Sequence, residues 1–313
     1  MQPFAMVFPG QGSQSIGMMQ GYGDHPVIAD TIARASACLD QDVGRLMAEG
    51  PAEELNRTVN TQPVMVTACY AVYRLWSALG GPAPTVVAGH SLGEYAALVA
   101  ASAIRFEDCL PLVRDRAIAM QEAVPQGTGA MAAVLGLDDA AIRSACEEAA
   151  QGEVVEAVNF NAPSQVVIAG HAAAVARAGE AARARGAKRV VALPVSAPFH
   201  SSLMAPAAAR LAQRLTALDI RTPQIPVLHN FDLKTHSSAA DIRAALVGQA
   251  DHPVPWADTV RKMAADGVKL LLECGPGKVL APLTRRIDDT ASGVALNDRA
   301  AIEAAMQRLA ECA

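Results

Sequence analysis

Short apolar runs and longer amphipathic segments alternate along the chain. The short runs have the length of buried strands, and the longer segments repeat apolar residues at the spacing of a helix face. The strand-like runs lie at 6–8, 85–88, 226–230 and 268–273, and the main helical stretches of the N-terminal part lie at 25–50 and 62–79. Such alternation is typical of parallel strands joined by helices, so the pattern predicts an α/β protein with a parallel sheet core.

The pattern changes between residues 125 and 194. Segments there follow the order β-α-β-β-α-β, which is typical of a ferredoxin-like α+β unit. The predicted strands are 131–135, 154–158, 165–169 and 189–193, and the predicted helices are 139–150 and 172–185. Turn-rich sequence bounds this segment on the N-terminal side and Pro194 bounds it on the other. We therefore predict a small inserted domain at 125–194 within a discontinuous body made of 1–124 and 195–313.

Composition narrows the functional classes. The 313 residues are 51% hydrophobic and only 4% aromatic, which favours a packed, helix-rich core over disorder. A formal net charge of −5 gives the chain no general attraction for nucleic acid or anionic membranes. No uninterrupted apolar stretch approaches the roughly 18 residues of a membrane span, and the N-terminus lacks a positively charged leader. We expect a cytoplasmic protein that binds neither membrane nor nucleic acid.

The cysteines carry no metal-site pattern. They are widely spaced, without a C-x-x-C pair, so reduced and packed thiols are expected. The six are Cys38, Cys69, Cys109, Cys146, Cys274 and Cys312.

A G-x-S-x-G pentapeptide at 89–93 joins the predicted strand 85–88 to a helical stretch at 94–100. A serine between two glycines at such a turn is typical of a nucleophile elbow, where the serine backbone is strained and added Cβ atoms would collide. The following helix directs its free N–H groups to the place where an oxyanion would form. Ser91 is therefore the candidate nucleophile, and the alternative is an ordinary turn in which this serine caps a helix.

A serine hydroxyl needs a base to accept its proton. Of the seven histidines, His200 is favoured because it lies just after the predicted insertion, where the chain returns to the main body at a cleft. No late-loop Asp or Glu presents itself to orient this histidine, so a backbone or side-chain carbonyl is the candidate acceptor for its N–H. Gln249, at the end of a predicted helix from 239 to 249, is one candidate, and a surface glutamine is the alternative reading.

Two more features concern anions. The loop at 8–14 has two glycines and follows the first strand, so the Gln11 amide can join the Leu92 amide as an oxyanion hole if the two strands are neighbours.

Arg114 and Arg116 are two positions apart in a helical pattern and point to different sides. An arginine facing the cleft would bind a carboxylate through two hydrogen bonds, whereas a surface ion pair is the alternative.

Six motifs occur together in a fixed order from residue 4 to about 285. They are FPGQGSQ at 8–14, GHSLGE at 89–94, RDR at 114–116, NFN at 159–161, APFH at 197–200 and ECGPG at 273–277. In order and spacing they resemble the malonyl-CoA:acyl-carrier-protein transacylases. The resemblance implies an α/β-hydrolase-like body with a ferredoxin-like insertion, in agreement with the element order above.

The resemblance also implies a role for each matching residue. These roles are nucleophile for Ser91, base for His200, partner of the malonyl carboxylate for Arg116, oxyanion-hole amides for Gln11 and Leu92, and a carbonyl for the histidine from Gln249. Phe199 resembles the malonyl-selecting form of its loop, where an aromatic ring crowds an α-methyl branch. Asn161 and Asn230 would be supporting polar groups.

The implied reaction is ping-pong acyl transfer through a malonyl-serine. Its substrates are malonyl-CoA and phosphopantetheinylated acyl carrier protein, with free CoA as a product and no metal or redox cofactor. The carrier would bind transiently to a monomer, and it is acidic in this family. A basic cluster is therefore a candidate steering surface, with a merely solvated helix end as the alternative: Arg183, Arg185, Lys188 and Arg189.

Three rivals remain open at this point. A serine hydrolase or thioesterase shares the elbow and the histidine. The transacylase subunit of a malonate decarboxylase shares the family, and a carrier-binding module without catalysis would share the fold. The sequence also leaves open whether the product feeds fatty acid or polyketide synthesis, with the chain length favouring the former.

Overall fold

A computed structural model of the protein describes residues 2–195 and 197–311. The strands, numbered in chain order, are β1 (Phe4–Phe8), β2 (Val86–Gly89), β3 (Gly129–Leu135), β4 (Val155–Ala162), β5 (Gln165–His171), β6 (Arg189–Ala192), β7 (Val227–Leu228), β8 (Leu270–Glu273) and β9 (Ser292–Ala295). The helices of the first half are α1 (Pro26–Leu39), α2 (Val43–Glu49), α3 (Ala52–Asn56), α4 (Thr58–Ala78), α5 (Gly93–Ala100), α6 (Phe106–Glu122) and α7 (Asp139–Ala150). Those of the second half are α8 (Ala172–Ala184), α9 (Ala205–Thr216), α10 (Ala239–Asp251), α11 (Trp256–Ala265), α12 (Ala281–Ile287) and α13 (Arg299–Glu311).

A parallel sheet of strand order β7-β2-β1-β8-β9 forms the centre of the body. All five residues of β1 are buried, because helices cover both faces of this sheet. Phe4, Met6 and Phe8 pack into the large core with α1, α4 and α6. Ala5 and Val7 face the opposite side and pack with α11 and α12. The prediction of an α/β body with a parallel core is confirmed.

A second, antiparallel sheet has the order β4-β5-β3-β6. With α7 and α8 it follows the β-α-β-β-α-β order, and it has a separate apolar core that includes Val134, Ile142 and Val175. This confirms the ferredoxin-like arrangement. Its elements lie between Gly129 and Ala192. The boundaries at 125 and 194 stay predictions.

Strand β4 connects the two sheets. It runs to Ala162, four residues beyond its predicted end, and its middle pairs with Val254 of the body. The Phe160 N–H donates to the Val254 carbonyl at 3.0 Å, and the Val254 N–H donates to the Val158 carbonyl at 2.7 Å. Main-chain hydrogen bonds therefore fasten the small sheet to the segment that follows α10.

Some boundaries differ from the sequence prediction. Strand β7 covers only two residues of the predicted 226–230, because the Asn230 N–H turns away to a side-chain carboxylate, that of Glu94. The half-buried edge strand β9 was not predicted. Within the described residues no helix combines the length and apolar character needed to cross a membrane. Free thiols are present at Cys38, Cys69, Cys109, Cys146 and Cys274, and Cys312 lies outside the described residues.

Candidate active site

Ser91 lies on a sharp turn between β2 and α5, and its φ is +51°, in the left-handed region that favours glycine. The flanking glycines are required by space. A Cβ on Gly89 would lie 1.9 Å from the carbonyl carbon of Gly93, and one on Gly93 would lie 2.0 Å from the Phe8 oxygen. The pentapeptide therefore folds as an elbow pressed against the end of β1, which exposes the serine at the carboxyl edge of the parallel sheet.

His200 reaches this serine from the loop before α9. Its Nε2 lies 2.6 Å from the Ser91 Oγ, and its Nδ1 lies 2.9 Å from the main-chain carbonyl of Gln249. A carbonyl only accepts, so Nδ1 carries the proton and Nε2 is left to accept from the serine hydroxyl. Burial, followed by the nearby Arg116 charge, lowers the pKa of His200 to about 3. The imidazole is therefore a neutral base at physiological pH.

Arg116 projects from α6 into the same pocket and is 2% exposed. Its Nη1 donates to Gln62 Oε1 at 3.0 Å, and its Nη2 donates to Gln249 Oε1 at 3.0 Å and to Ser91 Oγ at 3.3 Å. Within the described residues it forms no ion pair with a carboxylate, and its Nε has no partner. Burial lowers the pKa of this guanidinium, since desolvation disfavours the charge. Arg114 points away, to the Leu39 carbonyl and Gln41.

Gln249 connects these groups. The part of Gln249 that accepts the hydrogen bond from His200 Nδ1 is its main-chain carbonyl. Its side chain does something the sequence did not indicate: Nε2 donates to the Ser91 carbonyl at 3.0 Å and to Glu94 Oε2 at 2.8 Å, while Oε1 accepts from Arg116. The residue is fully buried, which rules out the alternative of a surface glutamine.

The loop after β1 lies against the elbow. A Cβ on Gly10 would be 2.6 Å from the His90 oxygen and 3.8 Å from the Leu92 nitrogen, so only glycine fits there. Gln11 and Leu92 line the same pocket as Ser91, and within the described residues neither main-chain N–H has a protein acceptor. Two free amides beside a nucleophile suit a developing oxyanion.

The two sheets share the rest of the pocket. Phe199, next to His200 in sequence, also lines this pocket, and the insertion contributes Met131 and Asn159. The remaining lining residues include Leu193 and Val195, which follow β6. The supporting asparagines hold the elbow. Asn230 Oδ1 accepts from the Ser91 N–H at 2.9 Å, its Nδ2 donates to Gly89 O at 2.8 Å, and Asn161 Oδ1 pairs with the His90 ring at 2.8 Å.

Three groups at the site escaped the sequence analysis. Gln62 binds Arg116, and the fully buried Glu94 and His229 pair at 2.7 Å behind the elbow. Glu94 carried the only usable signal, since it follows the elbow glycine at a position that faces the core of α5. The other two come from α4 and the end of β7, and nothing local marks them.

The fold and the geometry together define an α/β enzyme with a serine nucleophile elbow and a buried cation. The acyl transferase domain family matches residues 5–308, and the chain belongs to this family. It is 54% identical to the malonyl CoA-acyl carrier protein transacylase of Escherichia coli, over 98% of this chain and all of the relative. It is 42% identical to the Bacillus subtilis protein of the same name, covering 99% of this chain and 98% of that one.

Solved structures agree. The acyl-carrier-protein S-malonyltransferase of Burkholderia pseudomallei superposes with a TM-score of 0.96 at 56% identity, covering 98% of this chain and all of that one. A malonyl-transacylase solved in complex with its type II PKS acyl-carrier protein superposes with a TM-score of 0.97 at 50% identity, with the same coverage.

Proposed function

We propose that this protein transfers a malonyl group from malonyl-CoA to the phosphopantetheine thiol of an acyl carrier protein. One observation carries the proposal: the buried Arg116 guanidinium, which has no carboxylate partner among the described residues, lies 3.3 Å from the hydroxyl of the candidate nucleophile. A buried cation is costly unless an anion pairs with it, so this pocket favours an acyl group that ends in a carboxylate. The printed names of the relatives support the same activity.

In the first half-reaction, the Ser91 hydroxyl attacks the malonyl thioester carbon while His200 Nε2 takes its proton. The oxyanion lies against the amides of Gln11 and Leu92. The C–S bond then breaks, CoA leaves as the thiol with the proton from the imidazole, and malonyl-Ser91 remains. The carboxylate of the malonyl group is held by Arg116.

In the second half-reaction, the carrier thiol gives its proton to His200 and attacks the serine ester. The tetrahedral intermediate collapses, the serine oxygen recovers the proton, and malonyl-carrier is released. Neither step changes an oxidation state, and the imidazole with the two amides supplies the proton transfer and charge stabilisation, so no cofactor is required. We propose a cytoplasmic monomer that binds its carrier transiently and supplies fatty acid elongation.

Phe199 is the proposed specificity residue. Its ring lines the pocket beside the base, where it would crowd an α-branch on the acyl group. Rejecting a single methyl by packing gives only about 1–3 kcal/mol, so the preference over methylmalonyl is limited.

Intact-mass measurement after mixing with malonyl-CoA tests the proposal. We expect one malonyl group on Ser91, absent from Ser91→Ala, that is discharged by phosphopantetheinylated carrier. Arg116→Ala should lower malonyl loading about 100-fold or more while acetyl loading falls far less. Only the malonyl group has a carboxylate, and that carboxylate loses its cationic partner in this variant. Arg116→Lys is the matched control, which keeps the charge but not the two-pronged geometry.

Three results would contradict the proposal. Rapid release of malonate without carrier would indicate a hydrolase, and equal losses of malonyl and acetyl loading in Arg116→Ala would remove the carboxylate-binding role. Carrier binding with an unlabelled serine would indicate a module without catalysis.

A further inference from the structure

A second buried charge lies behind the elbow. Glu94 occupies the first turn of α5, three residues after the nucleophile, and is 0% exposed. Its Oε1 pairs with His229 Nδ1 at 2.7 Å, and its Oε2 accepts from the Asn230 N–H at 3.0 Å and from Gln249 Nε2 at 2.8 Å. The carboxylate touches neither Arg116 nor His200, so it leaves the guanidinium unpaired.

The hydrogen bond to Gln249 determines which way that amide faces. An ionised carboxylate only accepts, so it can face only the NH₂ end of a glutamine. The same NH₂ group donates its second hydrogen to the Ser91 carbonyl. Both donors are then used on one side, and Oε1 must point at Arg116. Without the carboxylate, only the Ser91 carbonyl would still hold the NH₂ on that side, so the amide would be fixed less firmly with its Oε1 toward the guanidinium, which has no acceptor of its own.

A second buried carboxylate, that of Glu273, has a different set of hydrogen-bond donors. Glu273, at the end of β8, is also 0% exposed and accepts three hydrogen bonds. All three come from main-chain N–H groups, those of Val279, Leu280 and Ala281. Glu273 ties down a loop, whereas Glu94 binds a side chain that contacts the substrate-binding cation.

We propose that Glu94 is a positioning residue for malonyl selection: by fixing the Gln249 amide, it holds the Arg116 guanidinium where the malonyl carboxylate binds. The inference rests on the proposed function and extends it. Acetyl transfer does not use the guanidinium, so the effect of Glu94 is expected in the ratio of malonyl to acetyl loading more than in either rate alone.

The test measures kcat/KM for loading of Ser91 from malonyl-CoA and from acetyl-CoA. Glu94→Met fills the space but removes every acceptor, and we expect it to lower the malonyl-to-acetyl ratio about 10-fold, the usual effect of a lost hydrogen bond to a charged group. Glu94→Gln keeps one oxygen for the Gln249 amide and should recover most of that ratio. In a Gln249→Met background, which keeps the main-chain carbonyl for His200, Glu94→Met should change the ratio no further.

Glu273→Met is the matched control, because it removes an equally buried carboxylate and should lower both rates by the same factor. A ratio in Glu94→Met that equals the wild-type ratio, or a change matched by Glu273→Met, would overturn the inference. If Glu94→Met does not fold, Glu94→Asp replaces it. Glu94→Asp keeps the charge but withdraws the oxygens by one methylene. A malonyl-to-acetyl ratio in this variant equal to the wild-type ratio would likewise overturn the inference. Failure of the wild-type protein to load malonate would instead reject the proposed function itself.

Discussion

Among the described residues, no carboxylate is hydrogen-bonded to His200, the proposed base. His200 is oriented by a main-chain carbonyl, and the charge with the largest effect on its pKa is the cation of Arg116. Both burial and this cation disfavour imidazolium, so the histidine stays neutral, with Nε2 free to accept a proton, well below the pH at which an ordinary histidine titrates. In the proposed mechanism, the proton that His200 receives is therefore held only briefly and is passed on to the leaving thiol.

A pH dependence follows from the lowered pKa of His200. The neutral form is the base, so loading is lost only as pH falls through the folded-state pKa of about 3. With acetyl-CoA, which does not need the guanidinium, we expect a rate plateau from pH 8 down to about pH 5. Arg116→Ala should move the acid limb to higher pH, because removing the cation favours imidazolium, yet keep it below the ordinary histidine value of 6.5, since burial is the larger cause.

Arg116→Lys serves as the control for this profile, since it retains the positive charge and should leave the acid limb near its wild-type position. Stopped-flow loading across the pH range measures all three proteins. An acid limb near pH 6.5 in the wild type would contradict the lowering of the His200 pKa by burial and by the Arg116 charge.

Local pattern was sufficient to select Ser91 and His200, which the structure brings within 2.6 Å of each other, but it did not indicate the groups that contact the site from other elements. Ser91 was recognisable from its glycines and its position between a strand and a helix, and His200 from its place after the insertion. The Arg116 contact with Gln62 joins residues 54 positions apart, and the Glu94 contact with Gln249 joins residues 155 apart. Such pairs arise from the topology of the sheet, which no local spacing reveals.

Among the elements, the long amphipathic helices were predicted best. Helix α7 has the predicted bounds, Asp139–Ala150, because its apolar face and the N-cap at Asp138 define it locally. Strand β7 is shorter than predicted because its end is taken up by hydrogen bonds to Glu94. Strand β9 has only four half-buried residues and therefore lacks an apolar run to detect.

The elbow itself predicts how glycine substitutions behave. Gly93→Ala places a methyl 2.0 Å from the Phe8 oxygen, so β1 or α5 must shift. We expect the free energy of unfolding to fall by about 3 kcal/mol and loading to be lost. Gly152→Ala is the control. Its Cβ meets open space, and only its φ of +87° is strained, so the expected loss is about 1 kcal/mol with activity kept. Urea titration and the loading assay measure both, and similar losses in the two variants would contradict this account of the turn.

At the scale of the whole molecule, two members of the basic cluster are better suited than the others to attract an acidic carrier. Arg183 pairs with Glu180, and Arg185 pairs with Glu148. Lys188 and Arg189 are exposed and, within the described residues, have no ion pair. In a chain of net charge −5, a local unpaired basic site gives an acidic partner a defined place of approach.

Transfer from preloaded malonyl-enzyme to the carrier tests this surface without the loading step. Lys188→Glu with Arg189→Glu should lower the second-order rate about 10-fold at low ionic strength and weaken its dependence on salt. Arg183→Glu, at a position where the charge is already paired, is the control and should have a smaller effect. An unchanged rate at low salt in the double variant would place carrier recognition elsewhere.

Strand β4 belongs to the small sheet by its pairing with β5 and to the body by its hydrogen bonds to Val254. A rigid outward rotation of the insertion would break these main-chain hydrogen bonds to Val254. Val254 lies a few residues along the chain from Gln249, whose carbonyl accepts from His200. An acyl chain must therefore enter and leave without a hinge opening of the insertion at this strand. Selection by acyl size, which we propose for the ring of Phe199, can then change through one substitution that leaves both sheets and their connection intact.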